Sequence, residues 1–564
     1  MKSTSQFYIL FFIISCIIAI SCNNKHVDEV VFHCFEYQGQ DARFKREINP
    51  EKEYMNPVIC GTYPDPSICR KGDDYYMVHS TFSYFPGIPL LHSRDLVNWQ
   101  QISNVLDRPS QLNLPAGLRL SGGIYAPAIS YNEKNETFYI ITTAVDNIGN
   151  FIVKTQDPRA SWSDPIVLPK VKGIDPSLFF DDDGRAYIVH NDDPEGTPEY
   201  DGHRAIWIHD YDQETDQTTG EPQVIVDGGI DKSKKPIWIE GPHIYKIKNK
   251  YYLMAAEGGT SVNHSEVILT ADHVKGPYIP AKINPILTQR DLPENRYEKV
   301  TSTGHADLID TPSGDWYAIF LACRPYAGDM YNTGRETFLL PVTWEDGIPV
   351  ILKQGQAVPT VVSPKNWKPD TTGVVPDAFS GNFTWTDRFD SDKLNMRWLF
   401  IRTPQQQWWK ITDKGLCFNP DTVGIHTRGN PAFIGYRQQH IDFTVSTALS
   451  FSPQSERDLA GLVCYQNELY NIVFGRTIRE KEECLVLIHT VNGKQQEFIC
   501  PLCKSAKKNP LQLRITGKAS TYDFSYQTKD NEWITAFSNI DATILSSKKA
   551  GGFTGAVIGM YAVR

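Results

Sequence analysis

The sequence predicts an all-β chain, a five-bladed β-propeller followed by a C-terminal antiparallel β-sandwich, and three observations carry that prediction. Five strand-like runs with bulky centres recur: Tyr75-Tyr76-Met77-Val78, Phe138-Tyr139-Ile140-Ile141, Ala186-Tyr187-Ile188-Val189, Tyr251-Tyr252-Leu253-Met254 and Trp316-Tyr317-Ala318-Ile319. Upstream of each lies a short apolar segment, beginning at Asp65, Ala126, Asp175, Glu240 and His305 respectively. Helical periodicity is almost absent, and turn clusters such as Lys71-Gly72-Asp73-Asp74, Asp181-Asp182-Asp183-Gly184 and Pro312-Ser313-Gly314-Asp315 precede the bulky runs. A repeat of roughly fifty to sixty-five residues built of short strands is the pattern of propeller blades around a central axis.

Each repeat then reads the same way. The short segment forms the innermost strand, the turn follows, and the bulky run forms the next strand outward. The repeats fill residues 51–358. A proline-rich stretch over 359–382, with Pro359, Pro364, Pro369 and Pro376, reads as a linker or strap. Alternating runs resume over 383–564, for instance Ile441 to Phe451 and Leu511 to Ile515, with the spacing of a sandwich and no further repeat.

At the N-terminus the apolar run Phe7 to Ile20 is too short for a comfortable transmembrane helix and reads as a signal peptide over 1–22. It ends in Ala19-Ile20-Ser21-Cys22, which resembles a bacterial lipoprotein cleavage box. Cys22 is therefore expected to carry lipid, residues 23–50 to act as a polar tether, and the chain to sit lipid-anchored on the cell envelope, periplasmic or at the outer-membrane surface. The net charge of -10 and the absence of a basic run argue against a nucleic-acid partner. Aromatic residues make up 12% of the chain, and flat rings suit sugar faces as well as strand-rich cores. The cysteines beyond the leader form an odd set with no metal-ligand pairing other than Cys500-x-x-Cys503, and read as small buried apolar residues.

If equivalent strands line the axis, Asp65, Asp175 and Glu240 meet there. Taken singly, an Asp before Pro is more often a turn residue than a catalyst. Three acids at nearly matching places in a repeat are harder to explain that way. An inverting glycosidase needs one carboxylate to activate water and one carboxylic acid to protonate the leaving oxygen, about 6.5–9.5 Å apart. Asp65 suits the base, Glu240 the acid, and Asp175 the negative neighbour that raises the pKa of the acid and orients it. His305 stands in the fifth repeat as a hydrogen-bond partner to substrate or axial water, a ligand to a calcium ion, or a structural histidine. Arg335 is a donor to sugar hydroxyls or to Asp175, with an ordinary ion pair in the neighbourhood of Glu336 or with Asp329 as the competing reading. Phe82, Phe85 and Tyr125 are the candidates for shaping the pocket, core packing being the stronger expectation for Phe82. No cofactor is required by this chemistry.

The segments Pro64-Asp65-Pro66-Ser67-Ile68, His92 to Trp99, Gly173-Ile174-Asp175-Pro176-Ser177, Ile239-Glu240-Gly241-Pro242-His243 and Gly334-Arg335-Glu336-Thr337 together resemble glycoside hydrolase family 43. The resemblance implies a five-bladed propeller of inverting enzymes acting on β-xylosides and α-L-arabinofuranosides, with Asp65 as base, Asp175 as pKa modulator and Glu240 as acid. Phe389-Asp390-Ser391, Leu394 to Trp398 and Ala460 to Gln466 look like the concanavalin-like sandwich of the β-xylosidase branch. In that branch a sandwich loop places a Phe at the pocket mouth, and Gly551 to Ala556 looks like that loop, so Phe553 is the candidate. The family's xylosidases commonly carry Trp where this chain has Tyr125. The implied activity is exo-acting release of terminal xylose or arabinofuranose from hemicellulose oligosaccharides, the substrate partners. An endo-arabinanase and a non-catalytic glycan-binding lipoprotein are the alternatives.

Overall fold

The computed structural model describes residues 29–370, 372, 378–503, 505–507 and 509–564. The signal peptide, Cys22 and the first part of the tether, 23–28, lie outside the described residues.

Four blades are antiparallel sheets of four or more strands running outward from the axis. Blade one is Ser67–Lys71, Asp74–Val78, Gly87–Ser93 and Gln100–Leu106; blade two runs from Gly123–Asn132 to Ile166–Val167; blade three from Ile174–Phe180 to Gln217–Asp227; blade four from Glu240–Ile247 to Ile279–Pro280. Blade five has Thr301–Asp310, Trp316–Cys323 and Glu336–Pro341, and is closed by residues that precede blade one. Ile59 bridges Thr337, and the Tyr63 amide donates to the Arg335 carbonyl at 3.1 Å. Closure of this kind removes the free edge of the ring. The bulky runs read from the sequence all fall on second strands, where Met77, Ile140, Ile188, Met254 and Ile319 are fully buried.

A backbone irregularity recurs on the innermost strands. In blades two to five the ladder to the second strand slips by one residue, opposite Ala126-Pro127, Asp175-Pro176, Gly241-Pro242 and His305-Ala306. Ala126, Asp175, Gly241 and His305 have φ of 28°, 54°, 57° and 51°, and Asp65, just ahead of blade one's first strand, has 53°. Such bulges re-aim side chains next to functional sites, and left-handed non-glycine residues persist only where surrounding structure holds them. The five matching positions are thus Asp65, Ala126, Asp175, Gly241 and His305. Glu240 stands one residue earlier, level with Tyr125, Ile174 and Gly304.

The C-terminal sandwich packs a six-stranded sheet, Ala432–Arg437 to Lys494–Pro501, on a larger sheet that includes Asp442–Ser450 and Leu511–Lys518. Val30–Gly39 lies inside that larger sheet, paired with Asp442–Ser450 on one side and with Gly415–Phe418 and Thr384–Asp387 on the other. The expectation of a polar tether over 23–50 is corrected here: Val30, Phe32, Phe35 and Tyr37 are fully buried in the core. At roughly 25 cal/mol per Å² of apolar surface, four such side chains stabilise the docked strand far more than its polar neighbours resist it. The proline-rich stretch acts as a strap. Val361–Val362 pairs with Tyr54–Met55, and the Trp367 indole donates to the Asp95 carbonyl at 2.7 Å.

The two domains share a buried ionic seam. Arg324 binds Glu336 through Nε at 2.6 Å and Asp41 through Nη1 at 2.7 Å, and Glu336 accepts the Gly61 amide at 2.9 Å. Asp41 in turn accepts the Asp442 amide of the sandwich at 2.8 Å. The nine described cysteines beyond residue 29 are all free. No helix among the described residues is long and apolar enough to cross a membrane.

Candidate active site

A cavity of about 550 Å³ opens at the axis, lined by Asp65, Asp175, Glu240, His305, Arg335, Tyr125 and Phe553 among others. All three acids predicted from the repeat therefore reach one place, each about 6% exposed. The left-handed backbone at Asp65, just ahead of its strand, and at Asp175, within a bulge, turns each carboxylate toward the axis, and the proline after each fixes the return to extended backbone.

Asp65 is held as an anion. Arg335 donates through Nη1 to Oδ1 at 2.8 Å and through Nη2 to Oδ2 at 3.4 Å, and the Ser80 hydroxyl donates to Oδ2 at 2.6 Å. The same Ser80 oxygen accepts the Ala126 amide at 2.6 Å, which ties the base position to blade two. Burial pushes the Asp65 carboxyl up, but Arg335, His305 and the Ser80 bond outweigh it, and its pKa falls below the ordinary value. Arg335 is thus neither a partner of Asp175 nor of Asp329: its ion pair is with Asp65.

Glu240 is the opposite case. Burial, then the Asp175 and Asp65 charges, raise its pKa well above the carboxylate range. Its Oε1 is buried without a hydrogen-bond partner, so a proton there has no internal acceptor to satisfy. Asp175 is pushed up to about 7 by burial and by the Asp65 charge, against a hydrogen bond from the Gly241 amide. One ionised and one protonated carboxyl facing the same space is the arrangement that acid–base cleavage of a glycoside requires.

His305 lies with Nδ1 3.9 Å from Asp65 Oδ1 and is kept neutral, its pKa lowered to about 4 chiefly by burial. Gly241 makes room for it, since a Cβ there would come within 2.9 Å of the ring. Glu266, fully buried in blade four, accepts the Ala306 amide at 3.0 Å and so fixes the segment that carries His305. Among the described residues no group of three or more His, Cys, Asp or Glu side chains is placed to hold a metal ion. Calcium coordination was one of three readings of His305, and the side chains around it form no such group.

Phe82, Tyr125 and Phe553 form an aromatic wall. The Phe82 and Phe553 rings stack with centroids 6.3 Å apart, Tyr125 meets Phe82 edge-on at 5.4 Å, and the Arg335 guanidinium lies 5.6 Å from the Phe553 centroid. Phe553 comes from the sandwich. Its loop is held by the Ala556 amide on the Asn332 carbonyl at 2.7 Å and the Gly555 amide on the Thr62 hydroxyl at 3.1 Å. Phe85, expected in the pocket, is not in its lining: Tyr84–Phe85 pairs with Phe400–Ile401 of the sandwich and Phe85 packs in the core between the domains. Phe82, expected in the core, takes that place through its bridge to Ile124.

Sequence reasoning missed the outer rim. Ile237, half exposed, and Trp238 line the mouth three and two residues before Glu240, with the Arg204 guanidinium 4.7 Å over the Trp238 ring. An apolar Pro-Ile-Trp-Ile run ahead of an acid was the available signal.

Propeller, sandwich and opposed carboxyls define a glycosidase. The profile of the family described as glycosyl hydrolases family 43 matches residues 54–349, and that of the β-xylosidase C-terminal concanavalin A-like domain matches residues 386–564. The chain belongs to glycoside hydrolase family 43. It is 37% identical over 525 residues to a xylosidase/arabinosidase of Butyrivibrio fibrisolvens, covering 90% of this chain and 95% of that one. A non-reducing end α-L-arabinofuranosidase of Bacteroides ovatus is 35% identical, covering 91% of this chain and 92% of that one. A crystal structure of a family 43 protein retrieved from a capybara gut metagenome superimposes with a TM-score of 0.87 at 44% identity, covering 95% of this chain and 99% of that one.

Proposed function

We propose that this enzyme is an exo-acting, inverting hydrolase that releases terminal β-D-xylose or α-L-arabinofuranose from hemicellulose oligosaccharides. The observation that carries the reading is the opposed charge state of Asp65 and Glu240 in a cavity walled on one side by Phe553. Asp65 accepts a proton from a water as its oxygen attacks the anomeric carbon. Glu240 gives its proton to the glycosidic oxygen as the bond from that oxygen to the anomeric carbon breaks, and the sugar leaves with inverted configuration. Asp175, held by the Gly241 amide and itself pushed up to about 7, raises the Glu240 pKa further wherever it is ionised. Arg335 holds Asp65 ionised and aimed. The names of the relatives, a xylosidase/arabinosidase and an arabinofuranosidase, support a pentose, and the Phe553 wall supports a pocket for a chain end over an open cleft.

The purified enzyme, incubated with aryl β-D-xyloside and aryl α-L-arabinofuranoside, is expected to release the aryl alcohol from at least one. Proton NMR of the first-formed sugar should show the inverted anomer. Release from neither glycoside, or a retained anomer, would overturn the reading.

We propose further that Cys22 is the lipid-bearing residue of the mature protein, on the support of the Ala19-Ile20-Ser21-Cys22 box. Fractionation of cells making Cys22→Ser should move the enzyme from membrane to soluble fraction; unchanged membrane association would refute the anchor.

A further inference from the structure

Asp175 and Glu240 stand on the innermost strands of neighbouring blades, and one side chain ties those strands together. Asn191, fully buried on the second strand of blade three, pairs through its backbone with Ile174, the residue before Asp175. Its side-chain Nδ2 donates across the blade boundary to the carbonyl of Ile239, the residue before Glu240. The packing there is close: a Cβ on Gly173 would lie 1.9 Å from the Asn191 carbonyl oxygen.

Arg204 holds Asn191 in turn. The Asn191 Oδ1 accepts from Arg204 Nε at 3.2 Å and from Nη2 at 3.1 Å, a two-point grip that a planar guanidinium makes and an ammonium does not. The third nitrogen, Nη1, bonds Asp193, and the guanidinium lies 4.7 Å over the Trp238 ring. Trp238 has a φ of 51°, a conformation that persists only where neighbours over-determine it. Its amide on the Gly202 carbonyl at 2.9 Å and the Gly258 amide on the Ile237 carbonyl at 2.8 Å complete that hold. The segment 237–239 that leads into Glu240 is thus fixed by Asn191 at its last carbonyl and by Arg204 over its ring. Neither Asn191 nor Arg204 lines the catalytic cavity.

The same cation acts on the acids. Burial and the neighbouring carboxylates raise Glu240 and Asp175, and Arg204 joins Arg335 in opposing that rise. The other titratable groups around Glu240 are Asp175, Asp65, His305 of blade five and Glu266 of blade four. Around Arg204 they are Asp192, Asp193 and His190. Loss of the Arg204 charge leaves Asp192 and Asp193 uncompensated, so both changes push Glu240 in the same direction, upward.

We propose that Arg204 and Asn191 are positioning residues for the acid step: together they fix the Glu240 strand against the Asp175 strand and so aim the Glu240 proton at the glycosidic oxygen. The kinetic test rests on the glycosidase reading above, and a second measurement does not.

Arg204→Met, Arg204→Lys and Asn191→Ala are compared with wild type on a pentose oligosaccharide, whose leaving group needs a proton, and on a dinitrophenyl pentoside, whose leaving group does not. In Arg204→Met and Asn191→Ala, kcat on the oligosaccharide is expected to fall about tenfold or more, the scale of a small misplacement, with the dinitrophenyl pentoside changed less than about threefold. The alkaline limb for the oligosaccharide should move up by about half a pH unit or more in Arg204→Met. It should stay in place in Arg204→Lys, which keeps the charge, loses the fork and recovers only part of kcat. Equal losses on the two substrates in Arg204→Met, or an undiminished kcat on the oligosaccharide, overturn the positioning role. The Arg204 variants decide the matter if the wholly buried Asn191→Ala does not fold. Carbon-13 NMR titration of the Glu240 carboxyl in glutamate-labelled protein, assigned by its absence in Glu240→Gln, reads the same upward shift without turnover. A wild type inactive on both substrates would sink the glycosidase reading and leave that titration standing; equal Glu240 titration in wild type and Arg204→Met would sink the action of Arg204 on Glu240, whatever the enzyme hydrolyses.

Discussion

Arg335 and Asp65 form a buried two-point pair, 2.8 Å from Nη1 to Oδ1 and 3.4 Å from Nη2 to Oδ2, at the seam where the propeller closes. Residues 59–63 run beside 335–337 as the closing strand, so the backbone contacts that shut the ring also set the base against its cation. Two residues 270 positions apart are brought into one ion pair by the closure of the fold.

The pair makes a prediction for the acid limb of the pH profile. Asp65 works as a base only when ionised, and its pKa is depressed by Arg335 against burial that pushes it up. Arg335→Met leaves burial unopposed by the nearest cation. The acid limb of kcat/KM is expected to move to higher pH, with activity lost at pH 5 before it is lost at pH 7. An unmoved acid limb would remove Asp65 from the role of base.

Glu240→Gln removes the proton donor and keeps the shape. Turnover of natural oligosaccharides is expected to fall by about 10²–10⁴, the usual contribution of general acid catalysis. Aryl glycosides with very acidic leaving groups need little protonation and should lose far less. The alkaline limb of the wild-type profile, set by the raised pKa of Glu240, should vanish with those substrates.

Asp175 predicts a stability effect whose sign follows from its shift. Its folded pKa is raised from 3.8 to about 7, so the folded chain keeps a proton the unfolded chain has lost. Stability therefore falls as pH rises through that window. Asp175→Asn removes the penalty, and its melting temperature relative to wild type should improve by a few degrees on going from pH 5 to pH 8, at about 2–4 °C per kcal/mol for a domain of this size. A constant difference across that range would contradict the raised pKa.

Gly241→Ala tests the bulge. Its φ of 57° disfavours any side chain, and the new Cβ would meet the His305 ring at 2.9–3.1 Å. The expected cost is on the order of 1–3 kcal/mol of stability with a loss of kcat, as His305 shifts from Asp65. Full activity in a normally folded variant would mean that the position of His305 does not matter.

Phe553→Ala opens the pocket from the sandwich side. Loss of an apolar contact of about 1.5 kcal/mol corresponds to roughly a tenfold rise in KM, with the pH limbs of kcat unchanged because the carboxyls stay in place. A kcat defect without a KM change would place Phe553 in the chemistry instead of the wall.

The five repeats were legible because each carries the same local signature, a short segment, a turn and a bulky run, and local signatures survive in sequence. The acids were legible for the same reason, though the register was finer than the pattern: Asp65 and Asp175 take the left-handed position, while Glu240 stands one residue ahead of Gly241, which holds that place in blade four. Phe82 and Phe85 could not be sorted from three residues of spacing. Which of them faces the cavity depends on partners far along the chain, Ile124 for one and Phe400 for the other. Val30–Gly39 was hidden by the polar residues before it, and its alternation of buried rings has meaning only once a sheet 400 residues later offers it a slot.

By itself the sequence determined the propeller, the sandwich, the three acids and Arg335, since all of these rest on residue type and short-range periodicity. Only the tertiary structure decided that Arg335 serves Asp65, that Phe82 and not Phe85 walls the pocket, and that the Phe553 ring stacks on Phe82. Those relations are distances between segments remote in sequence, set by ring closure and domain docking, and no local pattern of residues encodes them.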